Sequence, residues 1–117
     1  MIHEERPWGS YTVLQTDSKY QVKKLFVNPG MRLSLQSHKF RSEHWFIVSG
    51  SGLVQLDEKN IDVKQGDSVD VPIGVKHRIA CTSVLPLIFI EVQTGISFDE
   101  NDITRHEDDF GRTNALN

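Results

Sequence analysis

Gln36, His38, Glu43 and His77 are the side chains of this 117-residue chain whose types and spacing could do chemistry together. Gln36 and His38 stand two apart, so on an extended strand both leave the same face. Glu43 follows after a polar interval, just ahead of the apolar run Trp45-Phe46-Ile47-Val48, which reads as a second strand. Two such strands can bring an amide oxygen, an imidazole and a carboxylate to one point. Farther on, Pro72 fixes φ and Gly74 permits positive φ, so a tight turn aims His77 back across the sheet. Imidazole with oxygen donors is a ligand set for a divalent ion, zinc foremost, with manganese, cobalt, nickel and iron as alternatives. Neutral Gln36, His38 and His77 with anionic Glu43 would leave such an ion one net positive charge. Four protein ligands also leave coordination positions open, as a catalytic site requires.

The elements that must position these groups read as strands. Arg6-Pro7-Trp8-Gly9-Ser10 is expected to be a loop leading into a short strand over residues 11–14, with a turn at 15–19. Tyr20–Val27 is rich in β-formers, and Asn28-Pro29-Gly30 closes it. Leu33 and Leu35 alternate with Ser34 and Gln36, which sets the ligands on a polar face. A turn at 49–52, a strand at 53–56, a hairpin tip at 57–60 and a return at 61–64 follow the apolar run. Further strands fall near 69–71, 78–80 and 87–92, and residues 99–110 are expected to hold one helical turn. Short strands at roughly 8–12-residue spacing, with no linker or long repeat, indicate one all-β sandwich or barrel.

Composition narrows the function classes. An apolar content of 38% with 25% charged residues suits a soluble globular protein with a single core. The formal charge of −3 arises without any basic run, which argues against a nucleic-acid partner. Cys81 is the single cysteine and cannot form an internal disulfide, as expected in a reducing compartment. The N-terminal residues lack the apolar stretch of a signal peptide, and no segment is apolar enough to span a bilayer. A cytoplasmic protein without a membrane partner is expected.

The two ligand-bearing segments resemble the paired motifs of the cupin superfamily. Gly30, His38, Glu43 and Gly50 match the first, and Gly66, Pro72, Gly74 and His77 match the second. Gln36 stands where that family has its first histidine, and Cys81 where it has a terminal asparagine. The resemblance implies one cupin domain over residues 1–117, a small jelly-roll β-barrel with motif one at 30–50 and motif two at 66–81. It also suggests a homodimer, since cupin barrels commonly pair through an edge strand and exposed edges need covering.

A longer set of residues sharpens the resemblance. Arg6-Pro7-Trp8-Gly9-Ser10-Tyr11, Arg41-x-Glu43-His44-Trp45, His77-Arg78, Glu91-Val92-Gln93 and the tail from Asp102 to Arg112 recur together. From Arg6 to Arg112 the chain is similar to the isomerase domain of the type II mannose-6-phosphate isomerases. In that family the domain usually follows a mannose-1-phosphate guanylyltransferase domain. No Gly-rich phosphate loop occurs here, so the resemblance implies isomerisation and not nucleotidyl transfer. The implied reaction is the interconversion of mannose 6-phosphate and fructose 6-phosphate, an intramolecular oxidoreduction on a small sugar phosphate. A metal-containing cupin that binds a sugar or regulates a partner without catalysis is the alternative. A metal-dependent oxygenase is disfavoured, because such sites carry more histidines or a two-His-one-carboxylate triad.

For an aldose–ketose isomerase, a metal would polarise the carbonyl and a base would carry the C2 proton to C1. His44 and Glu43 are the candidate bases. On a regular strand they point to opposite faces, which counts against His44 unless the strand bends. Arg41, with Lys23 or Lys24, is the candidate phosphate contact, Arg being favoured by its bidentate fork. Lys23 and Lys24 are adjacent, so at most one faces the barrel interior. Trp8 and Trp45 are expected in the core, and His3 and His106 as packed or solvated residues. Lys39 and Phe40 stand where the family often has a histidine-rich run, which alters the pocket mouth and leaves the sugar's identity open.

Overall fold

A computed structural model describes residues 1–113, in which all the regular structure is β. The strands are β1 (Ile2–Arg6), β2 (Gly9–Thr16), β3 (Tyr20–Val27), β4 (Leu35–Ser37), β5 (Arg41–Ser49) and β6 (Ser51–Leu56). They continue as β7 (Lys59–Lys64), β8 (Ser68–Val71), β9 (His77–Cys81), β10 (Leu87–Gly95) and β11 (Thr104–Glu107). Two antiparallel sheets result, one ordered β1-β2-β3-β10-β5-β8 and the other β11-β4-β9-β6-β7. No helix among the described residues is long and apolar enough to cross a membrane.

Three long neighbouring strands, β3, β10 and β5, show how the sequence divides the interior. Each alternates, so its odd-numbered residues face inward. Toward one end those residues are apolar: Leu25, Phe89 and Ile47 share one cross-strand row. The next row holds Lys23, Glu91 and Trp45, and the one after it Gln21, Gln93 and Glu43. One half of the barrel is therefore a hydrocarbon core, completed by Val54, Ile79 and Leu87, all fully buried. The other half is lined by polar groups that need partners. The expected all-β jelly-roll architecture is present, and Trp8 and Trp45 are buried in the core as expected.

Several local expectations are corrected. The loop expected over residues 6–10 narrows to a turn at Pro7-Trp8, because residues 2–6 form β1, which pairs along β2 from Ile2↔Val13 to Arg6↔Gly9. Its strand-forming signal is weak because most of its side chains are exposed and charged. The helical turn expected in residues 99–110 is absent; part of that stretch is β11, held by pairing with β4. Sheet pairing, which is invisible to local propensity, overrides the helical reading.

Gly95 ends β10 opposite Arg41 and bonds the chain back to the site, since Ile96 N–H donates to Phe40 O at 3.0 Å. Its φ is +154°, and an added Cβ would lie 2.2 Å from Phe40 O. Gly95→Ala should therefore destabilise the protein by roughly 1–3 kcal/mol, the usual cost of a forced backbone conformation. Urea denaturation gives the value, and an unchanged midpoint would refute the close approach.

Candidate metal centre

His38, Glu43 and His77 converge from three different places in the fold, just beyond β4, on β5 and at the start of β9. Their ligand atoms lie within 4.8 Å of one another, and all three side chains are buried. His38 Nε2 is 3.3 Å from Glu43 Oε2, and His77 Nε2 is 3.7 Å from Glu43 Oε1. Each imidazole is anchored by its other nitrogen. His38 Nδ1 donates to Asp102 O at 2.7 Å, and His77 Nδ1 donates to Val75 O at 2.9 Å. Those bonds set the tautomer that leaves an Nε2 lone pair facing the carboxylate, as a metal-ligating histidine requires.

The electrostatics point the same way. Burial first, then the Arg41 charge and His77, push the His38 pKa down to about 4. Burial likewise lowers that of His77. Both rings are neutral at neutral pH, and a neutral imidazole is the form that binds metal. Two neutral Nε2 atoms and one carboxylate oxygen fit a divalent transition ion. Gln36 faces His77 across β4 and β9 and lines the same cavity, with its amide nitrogen donating to Ser34 Oγ at 3.0 Å. Its carbonyl oxygen is the end that a metal or a bound hydroxyl would use.

A second carboxylate lies beside the first. Trp45 Nε1 donates to both Glu43 Oε1, at 3.1 Å, and Glu91 Oε1, at 3.0 Å. Gln93 Nε2 donates to Glu91 Oε2 at 2.7 Å, Gln21 Nε2 to Gln93 Oε1 at 3.1 Å, and Thr16 Oγ1 to Gln21 Oε1 at 3.2 Å. Burial, and next the neighbouring Glu43 charge, raise the Glu91 pKa to about 7. Arg41 closes the network from the other side, with Nε donating to Glu43 Oε2 at 3.1 Å and Nη1 to Asp99 O at 3.3 Å.

The expected site residues separate cleanly. Gln36, Lys23, Arg41, Glu43 and His77 line one cavity of about 300 Å³, and His38 stands against Arg41 and Glu43 behind it. His44 does not join them. β5 runs regularly through this point, so His44 lies on the outer face, where its Nδ1 is 2.7 Å from Asp70. Lys24 is likewise exposed, because it alternates with the buried Lys23. Lys23 is neutralised by Glu100 at 2.6 Å and lies over the Tyr11 ring. Sequence reasoning assigned no role to Glu91, Asp102, Arg78, Arg105 or Arg112. All five sit in the segments that carry the longer resemblance, which was the available signal.

Solved structures share this architecture. The Schizosaccharomyces pombe Cnp3 cupin domain aligns with a TM-score of 0.72 and 13% identity over 74% of this chain and 64% of that one. Fold and site together define a cupin domain with a buried His-Glu-His cluster. Among curated proteins, the alginate biosynthesis protein AlgA of Pseudomonas aeruginosa is 46% identical over 92% of this chain and 22% of its own length. The mannose-1-phosphate guanylyltransferase of Escherichia coli is 37% identical over 95% of this chain and 24% of its own. The chain thus spans about a quarter or less of these relatives. Residues 2–108 match the family described as mannose-6-phosphate isomerase C-terminal, and the chain belongs to that family.

The buried carboxyl has a measurable consequence in metal-free protein. A group whose pKa is raised on folding contributes stability that is full below its ordinary value of 4.5 and lost as pH rises through about 7. His38 acts oppositely, its contribution being lost as pH falls from 6.5 through about 4. Glu91→Gln removes the first effect and, by deleting a charge that raises the two imidazoles, lowers the His38 and His77 pKa values further. The variant should gain on the wild type between pH 5 and 8 by up to roughly 3 kcal/mol, at about 1.4 kcal/mol per pKa unit. Parallel stability–pH curves for the two proteins would contradict this.

Proposed function

We propose that this domain is a metal-dependent aldose–ketose isomerase acting on mannose 6-phosphate and fructose 6-phosphate. The observation that carries the reading is the convergence of His38, Glu43 and His77 in one buried cluster, beside a cavity of the isomerase-family fold that Glu43, His77, Gln36 and Glu91 line. Those three residues, with Gln36, would hold the ion, zinc foremost. When bound, the metal would supply a Lewis acid for the substrate carbonyl and its neighbouring hydroxyl.

The remaining work falls to the protein's own groups. Arg41 aligns the Glu43 carboxylate and packs against His38, so it positions the ligands rather than reaching outward. The proton must leave C2 and return at C1 through an enediolate, while a hydroxyl proton passes between O2 and O1. Glu91 is the base assigned to that transfer. It is buried at the cavity wall, shares the Trp45 N–H with Glu43, and is hydrogen-bonded through Gln93 to Gln21. A homodimer in the cytoplasm belongs to the same proposal, and light scattering checks the assembly.

Metal-loaded protein should convert mannose 6-phosphate to fructose 6-phosphate and exchange the C2 hydrogen with solvent. Saturable sugar binding without turnover would identify a binding cupin instead. His77→Ala should lose most of its metal by elemental analysis while keeping its fold. Glu91→Gln should keep the metal but lose turnover by roughly 10²–10⁴-fold, the usual loss on removing a general base. His44→Asn should behave as wild type. A Glu91→Gln enzyme exchanging the C2 hydrogen at the wild-type rate would exclude Glu91 as the base.

A further inference from the structure

The cavity wall contains guanidinium nitrogens that have no hydrogen-bond partner among the described residues. Arg78 is only 4% exposed, and Nε and Nη1 are engaged by Leu33 O at 3.0 Å and Glu107 Oε1 at 3.3 Å. Its Nη2 is buried with no hydrogen bond. Arg105 Nε is buried and unbonded as well, and Arg105 makes no ion pair among the described residues. Both side chains line the cavity that holds Glu43 and His77. A buried donor without an acceptor costs about 1–3 kcal/mol, and more when charged. Two such donors in one wall imply an acceptor that arrives from outside.

The other cations of the cavity are matched. Lys23 meets Glu100 at 2.6 Å, Arg41 meets Glu43 at 3.1 Å, Arg6 meets Glu4 at 3.3 Å, and Arg112 grips Asp108 through two nitrogens at 2.8 and 3.1 Å. Burial first, and then a neighbouring arginine (Arg112 for Arg105, Arg32 for Arg78), lowers the pKa of each, against the pull of nearby carboxylates that include Asp108. The unbonded donors of both side chains lie at one end of the cavity, where Arg78 reaches Glu107 on the strand that carries Arg105.

The register connects that end to the metal ligands. Arg105 faces Gln36 across β11 and β4, and Gln36 faces His77 across β4 and β9. With strands about 4.8 Å apart, this row spans roughly 10 Å. A six-carbon chain with bonds of about 1.5 Å spans roughly 6–7 Å, which leaves room for a phosphate at its far end.

We propose that Arg78 and Arg105 form the phosphate-recognition corner of the cavity and receive the terminal phosphate of a sugar monophosphate whose carbonyl end lies at His38, Glu43 and His77. This moves phosphate recognition away from Arg41 and Lys24, the first engaged internally and the second outside. The identity of the sugar rests on the isomerase reading; the anion corner does not.

Calorimetric titration of metal-free protein with inorganic phosphate, mannose 6-phosphate and unphosphorylated mannose tests the assignment. Wild type should bind both phosphate-bearing ligands. Arg105→Gln should weaken both by about ten- to a hundredfold, as loss of a charge-assisted contact does, and leave mannose unchanged. Its melting temperature should hold or rise, because a buried unbonded donor is removed; a residue with a merely structural role would lower it. Arg78→Lys keeps the charge without the Nη2 donor and should weaken the same two ligands. If wild type binds neither phosphate ligand, or Arg105→Gln binds them as wild type does, the corner is refuted. Phosphate binding that disappears in Arg105→Gln, in a protein without isomerase turnover, would uphold the corner while removing the isomerase reading. Turnover with an unchanged KM in Arg105→Gln would do the reverse.

Discussion

Two carboxylates buried side by side, Glu43 and Glu91, are the constraint on which the rest of this structure depends. Removing a carboxylate from water is expensive unless donors replace the lost hydration. Two adjacent ones add mutual repulsion. The barrel answers with a directed set of donors: Arg41 and Trp45 on Glu43, and Trp45 and Gln93 on Glu91. Gln21 and Thr16 continue the chain from the Glu91 side. Each member sits on one of three adjoining strands or the strand beside them, so the sheet register itself builds the network. Burial, and next the repulsion that remains, raise the Glu91 pKa to about 7.

That polar half would be unstable alone. It is tolerable because the same three strands carry Leu25, Phe89 and Ile47 in the next rows, over a fully apolar floor. Trp45 joins the halves, packing its ring against Phe89 and turning its N–H to the carboxylates. A second fastening closes the mouth. The Asp102 carboxylate accepts the Lys39 and Phe40 N–H groups at 2.8 and 2.9 Å, while its carbonyl holds His38 Nδ1. One residue thus ties the C-terminal segment to the turn between β4 and β5 and aims the His38 imidazole at Glu43.

Much of this was legible in one dimension. Alternation on Tyr20–Val27 and around Trp45 marks strands with one inward face, and the glycine and proline punctuation separates them. The residues of the His38, Glu43 and His77 cluster were legible because their spacing is dictated by that alternation and by the turn at Pro72 and Gly74. β1 was not, since its exposed charged side chains carry no amphipathic signal. β11 was not either, because its strand character comes from pairing with β4.

Residue types and local geometry by themselves determined an all-β chain carrying His38, Glu43 and His77 at ligand spacing, with Lys23 and Lys24 on opposite faces. Which lysine turns inward was decided by the sheet, because only burial of one face distinguishes two neighbours on a strand. The same holds for His44, excluded once β5 proved straight. The pairing of Glu91 with Glu43, and the unpartnered nitrogens of Arg78 and Arg105, were decided by tertiary structure alone. Those groups are 35 or more residues from Glu43, and no local pattern records a contact made across so long a stretch of chain.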